Sequence, residues 1–246
     1  MNELRQRADR LLVSLGFFES RARAQAAIDA GLVTANGAPV RKASQILASN
    51  AVLVARASHP YVSRGGVKLR HALDHFAFSA SDRACLDVGA STGGFSDVLL
   101  RDGARIVYAV DTGQAQLHDS LRDHARIRLM EGFDARRLSA EQVPEPIDLT
   151  VVDVSFISLK LVLPAILPLS GTEAALVALI KPQFEVGRAK IGKGGIVRDD
   201  MLFEAVCSEI GELVQGLGWS TLGIVPSPIV GGDGNREFLI AARRGA

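Results

Sequence analysis

Apolar and polar positions alternate with two different periods through most of the chain. From residue 84 onward, short apolar runs of strand length are separated by amphipathic segments of helical length. The runs lie at 84–89, 105–111, 126–132, 148–155, 174–181, 219–229 and 236–244, with helices predicted at 94–102, 159–168 and about 200–216. Strands separated by helices predict an α/β fold with a mostly parallel, seven-stranded sheet covered on both faces. The last two runs are too close for a helical crossover, so they predict an antiparallel hairpin at the sheet edge.

The N-terminal part has a different pattern. Helical spacing of apolar residues predicts one helix over 3–15 and a second over 20–30, with Ser20 as its N-cap. Two short strands within 33–40 flank an Asn-Gly pair, which favours a tight hairpin turn, and 51–56 predicts another strand. These elements predict a small α+β domain at 1–60, a linker at 61–66 and the α/β domain at 67–246.

The charges are distributed unevenly between these parts. Residues 1–70 hold eleven Lys/Arg and four acids, about +7, whereas the remainder is about −6. A basic head on an acidic body predicts a polyanion-binding module, the alternative being a merely solvated surface. Arginines at the start of the second helix lie at the positive end of its dipole, which is unfavourable for them. A phosphate bound there would interact favourably with the helix N-terminus and with the arginines. The candidate RNA-binding residues in this region are Arg5, Arg7, Arg21, Arg23, Arg41, Lys42 and Arg64.

Composition excludes several classes of protein. No stretch approaches the roughly 20 apolar residues that span a bilayer, and the N-terminus lacks the pattern of a secretory signal. Two cysteines and five scattered histidines do not form the spacing of a disulfide framework or a metal site. We therefore expect a cytoplasmic protein without metal and without membrane contact. We also expect it to be a monomer.

A glycine-rich turn follows the first strand of the α/β domain. Its sequence, LDVGASTGGF (86–95), differs from the G-x-G-x-x-G of dinucleotide sites and lacks the lysine of a P-loop. Asp111 ends the next strand, where an acid accepts hydrogen bonds from the ribose of an adenosine cofactor. The turn and this acid fit S-adenosylmethionine and also NAD, so an oxidoreductase stays an alternative. The candidate cofactor-binding residues are Asp87, Gly89, Ser91, Gly93, Gly94, Phe95, Asp111 and Asp134.

Two of these acids have more specific expected roles. Asp87 is expected near the positive end of a sulfonium ligand, where a carboxylate balances the charge. Asp134 follows the third strand and is expected either to receive an adenine amino group or to cap a helix.

Further charged residues fall at strand ends. Asp153 and Lys181 each follow an apolar run, and ligands of open parallel sheets bind at the carboxyl ends of strands. A buried lone charge is costly, which favours a paired site over separate structural uses. Lys68 and Glu237 are expected to reach the same end of the sheet as Asp153 and Lys181. Each of these charges alone is also compatible with a surface role.

Two resemblances connect these residues. The pattern R-x-D-x-L followed by SR-x-x-A, I-x-x-G-x-V and NG over residues 2–60 resembles the RNA-binding module first known from ribosomal protein S-four. Lys68, Asp153, Lys181 and Glu237 resemble the K-D-K-E tetrad of FtsJ-like ribose 2′-O-methyltransferases. Together with SRGGVKL, VDVSFISL and LIKPQFE, the whole chain resembles the TlyA family, often labelled hemolysin A.

The resemblance implies a function and a site. It implies S-adenosylmethionine as cofactor, cytidine 2′-hydroxyls of ribosomal RNA or ribosomal subunits as substrate, and the tetrad as catalytic residues. Lys181 is expected to handle the hydroxyl proton or, in the alternative role, to stay protonated and stabilise the oxyanion. A non-catalytic RNA-binding protein and a membrane-active cytolysin are the rival interpretations.

The segment around the site suggests two further expectations. The loop at 188–199 is basic and glycine-rich, and is expected to close over RNA with Lys190, Lys193 and Arg198 near phosphates, or else to be a solvated loop. Phe156 and Phe184 flank the site, where core packing is favoured over stacking on a flipped base.

Overall fold

The computed structural model describes residues 5–187 and 191–245. The chain divides into two compact units, Met1–Pro60 and Tyr61–Ala246. The second unit begins earlier than predicted, because the segment 61–66 is folded into it and does not form a linker. The Val62 N–H donates to Asp97 Oδ2 at 2.9 Å, and Gly65 already begins the first helix of the unit.

The first unit is a small α+β fold. Its elements are β1 (Arg5–Arg7), α1 (Ala8–Ser14), α2 (Arg21–Asp29), β2 (Val33–Ala35), β3 (Ala38–Pro39), β4 (Ile46–Ala48) and β5 (Leu53–Ala55). Strand β1 pairs with β4, and β2 pairs with both β3 and β5. The two helices pack on the sheets through a core that includes Leu11, Leu12, Ala24, Ile28, Val33 and Leu47.

The predicted helix cap and hairpin turn of this unit are confirmed, whereas the start of its first helix is not. Ser20 caps α2 by accepting a hydrogen bond from the Arg23 N–H, and the Asn36-Gly37 turn has the two positive φ angles of a primed hairpin, 50° and 77°. The predicted helix over 3–15 is wrong at its start, because residues Arg5–Arg7 form a strand. Their backbone pairs with Ile46–Ala48, a strand that the periodicity did not reveal.

The second unit contains the expected sheet. Its elements are α3 (Gly65–His75), β6 (Ala84–Val88), α4 (Gly94–Arg101), β7 (Ile106–Asp111), α5 (Asp119–Arg122), β8 (Ile127–Glu131), β9 (Ile147–Val152), α6 (Leu159–Ile166), β10 (Ser170–Ile180), α7 (Pro182–Glu185), α8 (Asp200–Gly216), β11 (Trp219–Pro226) and β12 (Phe238–Arg244). Within the described residues, seven strands form one sheet in the order β11-β12-β10-β9-β6-β7-β8. Strand β12 is antiparallel to both neighbours and forms the predicted hairpin with β11.

The strand order explains where a ligand site forms. Strands β6 to β10 run parallel, and the order of connection reverses between β6 and β9. Helices cover both faces: α6 and α8 contribute to one apolar cluster, and α3 and α4 to the other. At such a reversal the loops leave the strand ends in opposite directions and open a crevice.

Element boundaries near this crevice differ from the prediction. Strand β9 ends at Val152 instead of continuing to 155, so Asp153 begins a loop. Strand β10 begins at Ser170 and ends at Ile180, one residue before Lys181. The short helix α7 was not predicted, because four residues are too few to show a helical period.

Asp9 is a buried acid of the first unit. It is 1% exposed, and its carboxylate lies 3.0 Å from Arg7 Nε and 2.7 Å from Arg21 Nη2. Hydrogen bonds from Arg7 and then Arg21 hold the pKa of Asp9 well below its usual range. Both arginines therefore have a structural partner besides any role in RNA binding.

We expect Asp9→Asn to destabilise the first unit by about 2 kcal/mol, because charge-assisted hydrogen bonds to both guanidinium groups are weakened. Since the folded-state pKa is lowered, the stabilisation is present above about pH 4 and is lost as the pH falls below it. Hydrogen exchange of amides in α1 and α2 measures the effect. Asp29→Asn, an exposed acid of α2, is the control. Equal exchange in both variants would contradict a stabilising role for Asp9.

Candidate active site

Two adjacent cavities open at the carboxyl ends of the parallel strands, in the part of the chain that the structure describes. The first, of about 440 Å³, is lined by the glycine turn and the ends of β6, β7 and β9; we call it the glycine-turn cavity. The second, of about 750 Å³, includes Lys68, Lys181 and Glu237 and is called the lysine cavity. Both are lined by 155–157, so one loop forms their common wall.

The glycine turn needs Gly89 for steric reasons. Its φ is +85°, and a Cβ at this position would collide with the backbone carbonyl of Asp153. The absence of a side chain therefore lets the turn after β6 approach the loop after β9. Gly89 and Ser91 both line the cavity.

Asp111 lies at the rim of this cavity, at the end of β7. Its Oδ2 accepts a hydrogen bond from the Ser91 N–H at 2.8 Å, and its Oδ1 accepts one from the Gly113 N–H at 2.7 Å. These two donors fix the orientation of the carboxylate. Since each carboxylate oxygen can accept more than one hydrogen bond, capacity remains for hydroxyl groups of a ligand.

Four of the candidate cofactor-binding residues lie outside the lining that the described residues form: Asp87, Gly93, Gly94 and Phe95. Asp87 is fully buried and accepts a hydrogen bond from Ser96 Oγ at 2.6 Å. Burial, assisted by the negative charge of Asp153, raises the pKa of Asp87 to about 7. Phe95 is buried in the apolar cluster that includes α3 and α4. Binding of a cofactor by these four residues stays a prediction.

Asp134 lines the cavity but is already engaged. Its Oδ1 accepts a hydrogen bond from the Arg136 N–H at 3.0 Å, capping the 3₁₀ turn that follows, and its Oδ2 lies 2.6 Å from Arg136 Nη2. The expected alternative of a helix cap is therefore present in the structure, next to a position from which Asp134 could contact a ligand.

The four residues of the tetrad form two ion pairs. Lys181 Nζ lies 2.6 Å from Asp153 Oδ1 and donates a hydrogen bond to Ser155 Oγ at 2.8 Å. Lys68 Nζ lies 2.5 Å from Glu237 Oε2. Asp153 lines the glycine-turn cavity and Lys181 lines the lysine cavity, so their pair crosses the boundary between the two.

Pairing explains how four charges are tolerated in one place. Side-chain exposure is 9% and 4% for Lys68 and Glu237, and 11% and 19% for Lys181 and Asp153. An unpaired charge at such burial would be strongly destabilising, whereas each pair is neutral overall. Removing one member would leave its partner buried and uncompensated, which makes the pairs interdependent.

Phe156 departs from the expectation of core packing. The residue is 91% exposed, has a φ of +65°, and its ring centroid lies 5.2 Å from that of Phe184. A positive φ is unusual for a bulky residue and indicates a conformation imposed by its surroundings. The prediction of a buried ring is therefore wrong for Phe156.

Several polar residues near the site were missed by the sequence analysis. Asn235 is 1% exposed; its Oδ1 accepts from the Val197 N–H and its Nδ2 donates to the Gly195 carbonyl, both at 3.0 Å. It therefore joins the loop before α8 to the loop that carries Glu237. Ser155 and Ser158 were missed because short polar side chains in a loop carry no periodic signal, and Glu185 was missed because it belongs to α7, a helix too short to show a helical period.

The predicted RNA-binding residues have different surroundings. Arg7 and Arg21 contact Asp9, and Arg23 lies 3.1 Å from Glu19. Exposed candidates are Arg21 and also Arg5, Arg41, Lys42, Arg64 and Arg198. Lys190 and the side chain of Lys193 lie outside the described residues. RNA binding by these residues stays a prediction.

The described residues contain neither a cluster of metal ligands nor a membrane-spanning helix. Among residues 5–187 and 191–245, no three His, Cys, Asp or Glu side chains are grouped so as to hold a metal ion. In the same described ranges, no helix has both the length and the apolar character needed to cross a membrane.

Comparison with known proteins identifies the family. The FtsJ-like methyltransferase family matches residues 61–244, and the S4 domain family matches residues 6–53. The chain is 42% identical to the 16S/23S rRNA (cytidine-2′-O)-methyltransferase TlyA of Mycobacterium tuberculosis, over 97% of this chain and 90% of that protein. The chain belongs to the TlyA family of FtsJ-like methyltransferases.

Other members of the TlyA family are similar over comparable lengths. Hemolysin A of Brachyspira hyodysenteriae is 41% identical over 95% of this chain and 98% of that protein. A solved hemolysin homologue from Streptococcus thermophilus has a TM-score of 0.77 and 40% identity, and the match covers 98% of this chain and 88% of that one. The predicted family and fold are confirmed, and the oxidoreductase alternative is wrong.

The raised pKa of Asp87 predicts a pH-dependent stability. An acid ionises near pH 4 in the unfolded chain, whereas folded Asp87 keeps its proton to about pH 7. Its contribution to the unfolding free energy therefore falls as the pH rises from about 4 to 7. Asp87→Asn removes this fall, so the variant gains stability relative to the wild type between these pH values. Denaturant unfolding at several pH values tests this, and a constant difference would contradict it.

Proposed function

We propose that this TlyA-family chain transfers a methyl group from S-adenosylmethionine to the ribose 2′-hydroxyl of cytidine in ribosomal RNA. The observation that carries the proposal is the Asp153–Lys181 ion pair at the boundary of the two cavities. The M. tuberculosis relative is an rRNA (cytidine-2′-O)-methyltransferase, and its similarity extends through both units.

The glycine-turn cavity fits the proposed cofactor. Gly89 leaves room for close approach, and Asp111 offers its carboxylate to ribose hydroxyls at the end of β7. Asp134 lies where it can receive an adenine amino group in addition to its Arg136 contact. When bound, the cofactor supplies an electrophilic methyl group on a positively charged sulfur.

Lys181 is the proposed proton-handling residue. An ammonium group has three N–H donors, of which Asp153 and Ser155 accept two, so the third is available to orient the substrate oxygen. As the new O–C bond forms and the methyl–sulfur bond breaks, Lys181 releases one proton to the Asp153 carboxylate and takes the hydroxyl proton in its place. Lys181 is then positively charged again and stabilises negative charge that develops on the oxygen. Placement of the two reactants in adjacent cavities that meet at the Asp153–Lys181 pair supplies further acceleration.

Lys68 and Glu237 have a proposed supporting role in the lysine cavity. Their pair contributes no net charge, yet it places a second ammonium group on the wall that the substrate contacts. A fixed positive group in a partly dry site stabilises developing negative charge at no cost of reorganisation.

An aromatic surface supports binding of a single nucleotide. The exposed ring of Phe156 lies beside Phe184, and both line the lysine cavity. Sequence-specific RNA recognition commonly stacks a splayed-out base on aromatic rings. We propose that the base next to the methylated ribose stacks on Phe156.

The first unit is the proposed RNA-binding module. It matches the S4 domain family and carries an excess of basic residues. A chain that modifies ribosomal RNA in this way would act in the cytoplasm, on ribosomal RNA or ribosomal subunits, and we propose that it acts as a monomer.

We expect Lys181→Ala to lower the rate of methyl transfer at least a hundredfold, because proton handling contributes about 10² to 10⁴ in rate. Cofactor affinity should stay within a few fold, since Lys181 lines the lysine cavity and not the glycine-turn cavity. The assays are mass mapping of ribose methylation on subunits from a strain lacking this chain, and calorimetry with S-adenosylmethionine. Lys160→Ala, which removes an exposed ion pair with Glu209, is the control. If the wild-type protein with S-adenosylmethionine leaves these subunits unmethylated, the proposed function is refuted.

The double substitution Arg41→Ala and Lys42→Ala should weaken RNA binding and reduce its salt dependence. Each lost phosphate contact lowers the slope of log affinity against log salt by about 1. Filter binding of ribosomal RNA at several salt concentrations measures the slope. Arg128→Ala, at an exposed position of the second unit, is the control. An unchanged slope in the double variant would remove these two residues from the RNA-binding surface.

A further inference from the structure

A loop of the second unit separates the two cavities. It runs from Asp153, directly after β9, to Ser158, the N-cap of α6. Its residues 155–157 line both cavities, so a displacement of this wall loop would alter both at once. The conformation of the wall loop therefore matters for cofactor and substrate together.

The wall loop contains an unfavourable backbone conformation. Phe156 has a φ of +65°, a region that costs free energy for a residue with a Cβ. Its ring is almost fully exposed and contributes little burial to offset that cost. Contacts from outside the wall loop must therefore hold it in place.

Helix α7 provides such contacts at three points. At its start, Lys181 donates to Ser155 Oγ, and in its middle the ring of Phe184 lies beside that of Phe156. At its end, Glu185 Oε2 accepts a hydrogen bond from Ser158 Oγ at 2.5 Å, and Glu185 Oε1 accepts one from the Leu159 N–H at 2.8 Å.

The Glu185 contacts are well placed to fix the far end of the wall loop. Ser158 Oγ also caps α6 by accepting from the Lys160 N–H at 3.1 Å. Glu185 satisfies a second free N–H of the same helix start and contributes negative charge where the helix dipole favours it. One carboxylate therefore joins the helix that follows Lys181 to the helix that follows the wall loop.

We propose that Glu185 is a positioning residue for methyl transfer. Through Ser158 and Leu159 it sets the wall loop so that Ser155 and Asp153 meet Lys181 while the glycine-turn cavity keeps its shape. The link to methyl transfer rests on the proposed function. The hydrogen bonds from Ser158 and Leu159 to Glu185, which we call the Glu185 clamp, are a property of the folded chain.

Glu185→Ala and Glu185→Gln test the proposal. We expect the alanine variant to lower kcat 10- to 100-fold at saturating RNA, with a smaller change in KM, and to weaken S-adenosylmethionine binding several fold. The glutamine variant should lie between it and the wild type, because its carbonyl oxygen accepts one hydrogen bond while its NH₂ cannot accept the other. Hydrogen exchange of the Leu159 amide should be faster than in the wild type in both variants, and fastest in Glu185→Ala.

Two controls separate positioning from general stability. Glu209→Ala breaks the Lys160 ion pair on α6 without touching the wall loop, and should leave kcat and cofactor affinity unchanged. Adding Ser158→Ala to Glu185→Ala should lower kcat by less than the product of the two single effects, because the hydrogen bond between Ser158 and Glu185 is already lost in either single variant. Normal kcat and cofactor affinity in Glu185→Ala, or losses matched by Glu209→Ala, would overturn the proposal.

The outcomes also distinguish the two proposals. If wild-type protein methylates no ribosomal RNA, the proposed function fails, and calorimetry and amide exchange still decide whether Glu185 holds the wall loop. If the wild type is active while Glu185→Ala keeps normal exchange of the Leu159 amide and normal cofactor affinity, Glu185 does not hold the wall loop and the proposed function stands.

Discussion

The ion pair between Lys181 and Asp153 is the interaction on which the site depends. The two residues follow neighbouring parallel strands, and the register that pairs Ala178 with Val152 places both residues at the same sheet edge. Each charge makes burial of the other tolerable, so the strand ends can meet at a partly dry boundary between cavities. Lys181 also donates a hydrogen bond to Ser155, so it contacts the wall loop at two of its residues.

The sequence predicted the residues whose position depends on strand ends. Parallel strands bring their carboxyl ends to one edge, so Asp111, Asp153 and Lys181 could be placed near each other from the apolar runs alone. The partnership of Lys68 with Glu237 could not be derived in this way, because one lies in a helix and the other precedes an antiparallel strand. For that pair, the resemblance to a known family supplied what periodicity could not.

Other features were beyond sequence reasoning for physical reasons. The contact between Arg21 and Asp9 joins positions in different elements, and nothing in the local pattern shows that the acid is buried. The positive φ of Phe156 is a property of one residue held by its neighbours, so nothing in the sequence argued against core packing of its ring. Strand β1 was missed because three residues paired to a distant segment resemble the start of a helix.

The distribution of charge suggests how the two units divide their work. The first unit, Met1–Pro60, carries eight Lys/Arg and four acids, whereas the second carries 20 Lys/Arg and 23 acids. A catalytic unit with slight net negative charge and a tetrad of neutral pairs has little general attraction for a polyanion, and phosphate attraction dominates non-specific affinity for nucleic acid. Affinity would then come mainly from the basic unit, which leaves the lysine cavity free to select a nucleotide by shape, stacking and hydrogen bonding.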